Sequence, residues 1–269
     1  LSKEIVVPTE TELRGDRNFV TALARGLEIL RCFNRPQIEL SVSEIARLTG
    51  LSQPTAWRLC YTLLECGFLV RAPSGSGLCI GAPAITLGYA AAKGARPTAI
   101  ALPYMQRLAE ETSCSATLSL RQNGEVISVE QVIADFVLPN QPIGWRAPLV
   151  IVSAGLAVLA ALPPAERDLL TDEMAAREGA RWPRHQARIA DAVAEFAREG
   201  YVTLSGMLDG QYTAVAVPLF ETGTKPKTQW ALSCGTLSSR WSEAGPGSAA
   251  GKLLELRALL TPAFAALAD

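Results

Sequence analysis

The stretch Ser43-Glu44-Ile45-Ala46-Arg47-Leu48-Thr49-Gly50-Leu51-Ser52-Gln53-Pro54-Thr55-Ala56-Trp57-Arg58-Leu59-Cys60-Tyr61-Thr62-Leu63-Leu64-Glu65-Cys66-Gly67 decides how this chain is read. Its first part predicts a short helix over Ser43 to Thr49, with Ser43 as N-cap and Ile45, Ala46 and Leu48 as apolar positions. Gly50 then permits a left-handed turn, and Ser52 is placed to cap the next helix. Proline is tolerated in a first helical turn, where its missing N–H would have no partner anyway, so Gln53-Pro54 opens that helix. Ala56, Leu59, Cys60, Leu63 and Leu64 form one apolar stripe that must face a core. The opposite face carries Gln53, Thr55, Trp57, Arg58, Tyr61 and Thr62, and Gly67 ends the helix.

Upstream, Leu23, Leu27 and Leu30 fall on one helical stripe, with Thr21 as its cap and Asn34 to Pro36 as its stop. Downstream, Phe68 to Arg71 and Leu78 to Ile80 flank a Pro/Ser/Gly turn, the pattern of a β-hairpin. Helix, helix, tight turn, helix and hairpin together spell a winged helix-turn-helix. The chain's formal net charge is −1, so a nucleic acid would have to be met by a local basic face. One is present: between Arg17 and Arg71 there are seven arginines against four glutamates. A helix entering the major groove needs short polar and arginine side chains near its N-terminus. Ser52, Gln53, Thr55, Trp57, Arg58 and Thr62 supply them, and Arg25 completes the predicted DNA-contacting set. Solvent-facing aromatics such as Trp57 and Tyr61 are uncommon without a partner.

At 269 residues, 49% of them hydrophobic, the chain has room for a second and larger domain. Residues 1–18 lack periodicity and read as a flexible arm, 19–81 as the winged helix-turn-helix, 82–97 as a linker helix, and 98–269 as an effector-binding and oligomerisation domain. In that last part hairpin signals alternate with helical ones. Strands are expected over Ser115 to Leu120 and Val126 to Val132, joined at Asn123-Gly124, and helices over Ser153 to Ala161 and His185 to Arg198. The fold class is therefore α+β. Cysteines 32, 60, 66, 79, 114 and 234 show no C-x-x-C spacing and read as buried hydrophobes of a reducing compartment. The only histidine is His185, which leaves no multi-histidine metal site, and no cofactor is expected. No secretory pattern opens the sequence, and the apolar run Pro148 to Leu162 is shorter than the about 20 residues a membrane helix needs. A cytoplasmic protein without a membrane partner is the expectation.

The segments Phe19 to Leu30, Ser43 to Ala46 and Thr49 to Ser52 resemble the IclR-type bacterial transcriptional regulators. Pro54 to Leu59 resembles their recognition helix and Gly67-Phe68-Leu69 its exit. In the second half, Ser153 to Ala160, Glu199-Gly200-Tyr201, Ala214 to Phe220 and Ala231 to Gly235 resemble successive segments of their regulatory domain. The likeness runs over residues 17 to 265. It implies double-stranded operator DNA as partner, a homodimer or homotetramer, and a GAF-like α/β effector domain with helices on one side of its sheet. It also implies a ligand site at the loop-helix start formed by Ser153, Ala154 and Gly155, with Ser233 and Cys234 as polar groups and Leu204, Ala214 and Gly235 as wall. Backbone N–H groups at a helix start suit a carboxylate, so an aromatic or other small carboxylic acid is the expected effector. Trp145-Arg146 could add a cation. The chain departs from the family in its uncharged wing (Ser74 to Cys79), in Leu156 where lysine is frequent, and in Leu204 and Ala214, where some members place polar ligand contacts.

Two other readings compete. A ligand-sensing module could use its helix-turn-helix on a protein partner. A serine hydrolase could be assembled from Ser153 and His185, but no G-x-S-x-G elbow is present and His185 reads as a surface helix start.

Overall fold

A computed structural model of the chain describes residues 17–33, 39–94, 96–134, 142–207, 209–241 and 247–267. The chain divides into two compact units, Leu1–Gly94 and Ala95–Asp269. Most of the predicted N-terminal arm and the predicted helix stop at Asn34 to Pro36 lie outside the described residues.

The first unit contains α1 (Thr21–Arg31), α2 (Val42–Thr49), α3 (Gln53–Glu65), β1 (Leu69–Arg71), β2 (Leu78–Ile80) and α4 (Pro83–Gly94). Helix α2 is capped by Ser41, not Ser43. Ser41 Oγ accepts from the Glu44 N–H at 3.2 Å while the Glu44 carboxylate accepts from the Ser41 N–H at 2.8 Å, a reciprocal capping box. Those hydrogen bonds hold the Glu44 carboxyl below the usual carboxylate range. Gly50, at φ 66°, makes the left-handed turn into α3. Strands β1 and β2 pair antiparallel as the wing, and Leu40 bridges to Leu78 at its edge. Ile29, Leu40, Ile45, Cys60, Leu69 and Leu78 form the core beneath.

Of the leucine stripe of α1 only Leu30 packs against that core. Leu23 and Leu27 are 62% and 50% exposed, whereas Ile29 is fully buried and Phe33 nearly so. Ile29 lies about 200° round the helix from Leu27, so Leu23 and Leu27 fall on the outer face. Nor does Thr21 cap the helix; Val20 occupies that position without a side-chain bond.

The second unit runs α5 (Arg96–Thr112), β3 (Ser115–Gln122), β4 (Glu125–Val132), β5 (Arg146–Pro148), a 3-10 turn (Leu149–Ile151), α6 (Ser153–Ala161), α7 (Pro164–Glu178), α8 (Trp182–Glu199), β6 (Val202–Met207), β7 (Tyr212–Pro218), β8 (Trp230–Leu237) and α9 (Gly247–Ala265). The strands form one antiparallel sheet in the order β5-β4-β3-β8-β7-β6. Asn123 takes a left-handed conformation (φ 56°) in the turn between β3 and β4.

Strand alternation divides this unit into two cores. On one face Ala116, Leu118, Val215, Val217 and Leu232 pack with Met105 and Leu108 of α5 and Leu253, Leu260 and Phe264 of α9. On the other, Val126, Leu204, Ala216 and Ala231 pack with α6 and with Ile189 and Phe196 of α8. The sheet is thus covered by helices on both faces, not on one. All nine residues of α6 are buried. His185, expected at the surface, is buried within α8, its ring 6.4 Å from that of Trp182. No helix among the described residues is long and apolar enough to cross a membrane.

Candidate nucleic-acid interface and effector pocket

The predicted DNA helix has the required two-sidedness. Ala56 and Cys60 of α3 are fully buried against the core, while Gln53, Trp57, Arg58, Tyr61 and Thr62 are exposed. Burial pushes the Cys60 thiol up to about 11. Gln53 Nε2 donates to Ser43 Oγ at 3.0 Å, tying the start of α3 to α2. Ser52 does not cap the backbone; its hydroxyl pairs with Thr55 Oγ1 at 2.8 Å. The first-turn N–H groups are therefore left for another acceptor, and a phosphate at a helix N-terminus is such a group. Trp57 and Tyr61 make a tilted aromatic ridge, ring centroids 6.3 Å apart. The Arg58 guanidinium makes no ion pair or hydrogen bond with the described residues. Thr62 is less available, because its hydroxyl donates to the Arg58 carbonyl at 3.1 Å. Arg25 is half-buried on α1.

A small cavity of about 30 Å³ lies where α6 begins over the sheet. Ser153 and Ala154 line it from the helix, Ser233 from β8 and Ala214 from β7. Four predicted residues thus meet in one place. The other four do not line it. Gly155 packs its α-carbon on the Leu149 backbone, where an added Cβ would stand 2.3 Å from the Leu149 carbonyl oxygen. Leu204 is in the core behind. Gly235 lies under Tyr212, where a Cβ would stand 2.4 Å from the phenol oxygen, so it admits that ring to the cavity wall without forming it. Cys234 belongs to the opposite core, beside Cys114, both as free thiols. Neighbours in a strand point to opposite faces, so Ser233 and Cys234 cannot share a pocket.

The cavity's polar groups are mostly hydroxyls. Ser115, Thr117 and Ser119 project from alternate positions of β3, joined by Ser153, Ser233 and Tyr212. Burial raises the Tyr212 phenol well above its ordinary value, so it stays a neutral donor. Trp145, Val126, Val152 and Met207 close the remaining sides. Helix α6 starts there without a side-chain cap. Its unpaired N–H groups and the positive end of its dipole therefore point into a buried hydroxyl cage.

The model of the IclR helix-turn-helix domain matches residues 22–73, and that of the bacterial transcriptional regulator IclR C-terminal domain matches residues 90–258. The chain belongs to the IclR family. It is a transcriptional regulator with a DNA-binding helix-turn-helix domain and a C-terminal effector domain. It is similar to the HTH-type transcriptional regulator TsaQ1/TsaQ2 of Comamonas testosteroni, with 28% identity over 83% of this chain and 81% of that one. An IclR-family regulator from Brucella abortus has the same fold at TM-score 0.83 and 31% identity, over 92% of this chain and 94% of its own. A third structure is an IclR homologue from Microbacterium hydrocarbonoxydans complexed with 4-hydroxybenzoate. It aligns at TM-score 0.67 and 24% identity over 90% and 98% of the two chains.

Within this IclR-family architecture the predicted cation is engaged elsewhere. Arg146 donates to Glu125 at 2.9 Å and to Gln122 at 2.9 Å. Only its neighbour Trp145 reaches the cavity. Leu156 is buried in the core of α6, 1% exposed. The contributors that sequence reasoning missed carry a visible sign: Ser115, Thr117 and Ser119 alternate with Ala116, Leu118 and Leu120 in a strand otherwise buried on both faces.

Proposed function

We propose that the chain binds operator DNA as a homo-oligomer through the exposed face of α3, with a small carboxylic acid, aromatic acids included, setting its affinity from the cavity at the start of α6. The observation that carries the effector half is the uncapped N-terminus of a wholly buried helix aimed at six hydroxyl-bearing side chains. Such a site attracts an anion without a cation of its own. The Microbacterium homologue's 4-hydroxybenzoate complex supports the same ligand class. At about 30 Å³ the cavity holds little more than water, so a ring must displace Met207 or Trp145. Methionine yields most readily, and it sits beside the register shift between Leu204 and Met207. Coupling follows if the opened form favours one DNA-binding state over the other.

The homo-oligomer reading is supported by unpartnered apolar side chains on the DNA-binding unit. Val20, Leu23 and Leu27 of the α1 region and Ile85 and Leu87 of α4 are each at least half exposed. A second copy is the partner a symmetric operator calls for.

The test titrates 4-hydroxybenzoate, benzoate and uncharged benzamide into wild type and Ala214→Phe, following thermal stability and DNA anisotropy together. The acids are expected to stabilise wild type and shift its DNA affinity, with benzamide inert and Ala214→Phe unresponsive but still DNA-bound. An identical response in Ala214→Phe refutes the pocket assignment.

A further inference from the structure

The second unit holds a far larger opening than the cavity under α6. A cleft of about 990 Å³ lies between the β7–β8 connection and the last turns of α9. Phe220, Trp230 and Phe264 contribute aromatic wall, with Trp230 and Phe264 meeting edge to face at 5.6 Å. Arg257 of α9 stands at the cleft as a half-buried cation. Its guanidinium carbon lies over the Phe196 ring, 5.2 Å from the centroid, and its Nη2 donates to Thr222 Oγ1 at 2.6 Å. It makes no ion pair among the described residues. Burial without a counter-charge is costly, and here it lowers the arginine's affinity for its own proton. The other charges at the cleft are accounted for. Lys225 is paired with Glu166 at 2.6 Å, and Glu221 is exposed to solvent.

We propose that this cleft is a second ligand site, taking an aromatic carboxylate of two-ring size whose anionic end pairs with Arg257. A guanidinium held on an aromatic face and positioned by one neutral hydroxyl presents its remaining N–H donors in the fork that a carboxylate fits. The apolar walls take the rings, and the volume is at the upper end of small-molecule pockets. The site is separate from the α6 cavity and does not depend on DNA binding. Thr261, Pro262, Phe264 and Ala265, which close it, lie beyond the residues 90–258 that match the family's domain.

The test uses the full chain and 2-naphthoate in isothermal titration calorimetry, with 2-naphthamide as uncharged control. Four proteins are compared: wild type, Ala214→Phe to block the α6 cavity, Arg257→Met to remove the charge but keep the stem, and Ala258→Trp. Ala258 is exposed on the cleft side of α9, so a bulky ring there fills the cleft without entering a core. Ala214→Phe is expected to retain 2-naphthoate binding. Arg257→Met should weaken it at least about tenfold, the size of a lost charge-assisted hydrogen bond, and the amide should bind wild type about as poorly. Ala258→Trp should lose binding even if Arg257→Met fails to fold. The proposal is overturned if wild type shows no saturable binding, or if Ala214→Phe abolishes it while Ala258→Trp leaves it intact. It is equally overturned if Arg257→Met and Ala258→Trp lower the association state in sedimentation velocity with binding unchanged, which makes the cleft a face between copies of this chain.

Discussion

Replacing Arg58 by alanine separates folding from DNA binding. The side chain is exposed, and its guanidinium touches no partner among the described residues. Its removal should change stability by no more than about 0.5 kcal/mol, the usual range for surface substitutions without such a feature. At a DNA groove the same side chain supplies roughly 1–3 kcal/mol per contact. For the proposed oligomer, two copies on a symmetric site would lose roughly 2–6 kcal/mol, a drop of about 30-fold to 2 × 10⁴-fold in affinity. Fluorescence anisotropy on the region upstream of the chain's own gene, repeated over a salt series, reads this directly. If Arg58 meets phosphates, the log–log salt slope also falls by roughly two; if it reads bases, affinity falls with the slope unchanged and specificity relaxes. A folded Arg58→Ala protein with wild-type affinity and slope would refute the placement of α3 in a groove.

Further outcomes follow from other residues. Ile29→Ala should cost roughly 2–5 kcal/mol of stability in chemical denaturation as a cavity opens under α1, whereas Leu23→Asp with Leu27→Asp should keep the fold and lower the oligomeric state in sedimentation velocity. Gly155→Ala should lower the melting temperature sharply, because the new methyl collides with backbone rather than with a side chain that can turn. Cys66, which is exposed, should be alkylated first at pH 8, with Cys60, Cys114 and Cys234 labelled only on unfolding, as mass spectrometry of timed samples will show. The Cys60 thiol titrates near 9 when unfolded and at about 11 when folded, so its contribution to stability is complete below pH 9 and is lost as pH rises to 11. Thermal melts across that window should fall more steeply for wild type than for Cys60→Ala.

The helix-turn-helix was legible because its signals are local: a glycine at the left-handed position, a proline in a first turn, and a buried stripe that faces one core. The α1 stripe was legible only in part: Leu30 packs on the core while Leu23 and Leu27 are exposed, and helical spacing alone does not say which apolar positions the core reaches. Helix α6 was legible as a buried helix, since an apolar run of its length with no polar face leaves no side for solvent. The pocket was only half visible. Which face of a strand meets a helix depends on register, and a one-residue slip exchanges Ser233 for Cys234. That register is set by pairing with β3 and β7, partners distant in sequence. The Arg257 cleft joins a strand connection to the end of the chain and leaves no local motif.

The close packing at the base of the wing has a mechanical consequence. Gly81 approaches the Gly67 carbonyl so closely that a Cβ there would lie 1.9 Å from its oxygen, and the Gly81 N–H donates to the Phe68 carbonyl at 2.8 Å. The end of α3 and the start of α4 are thereby clamped backbone to backbone. Helix α4, about 18 Å long, therefore leaves the end of α3 from a fixed point, and no side chain at position 81 can be fitted without forcing the two backbones apart.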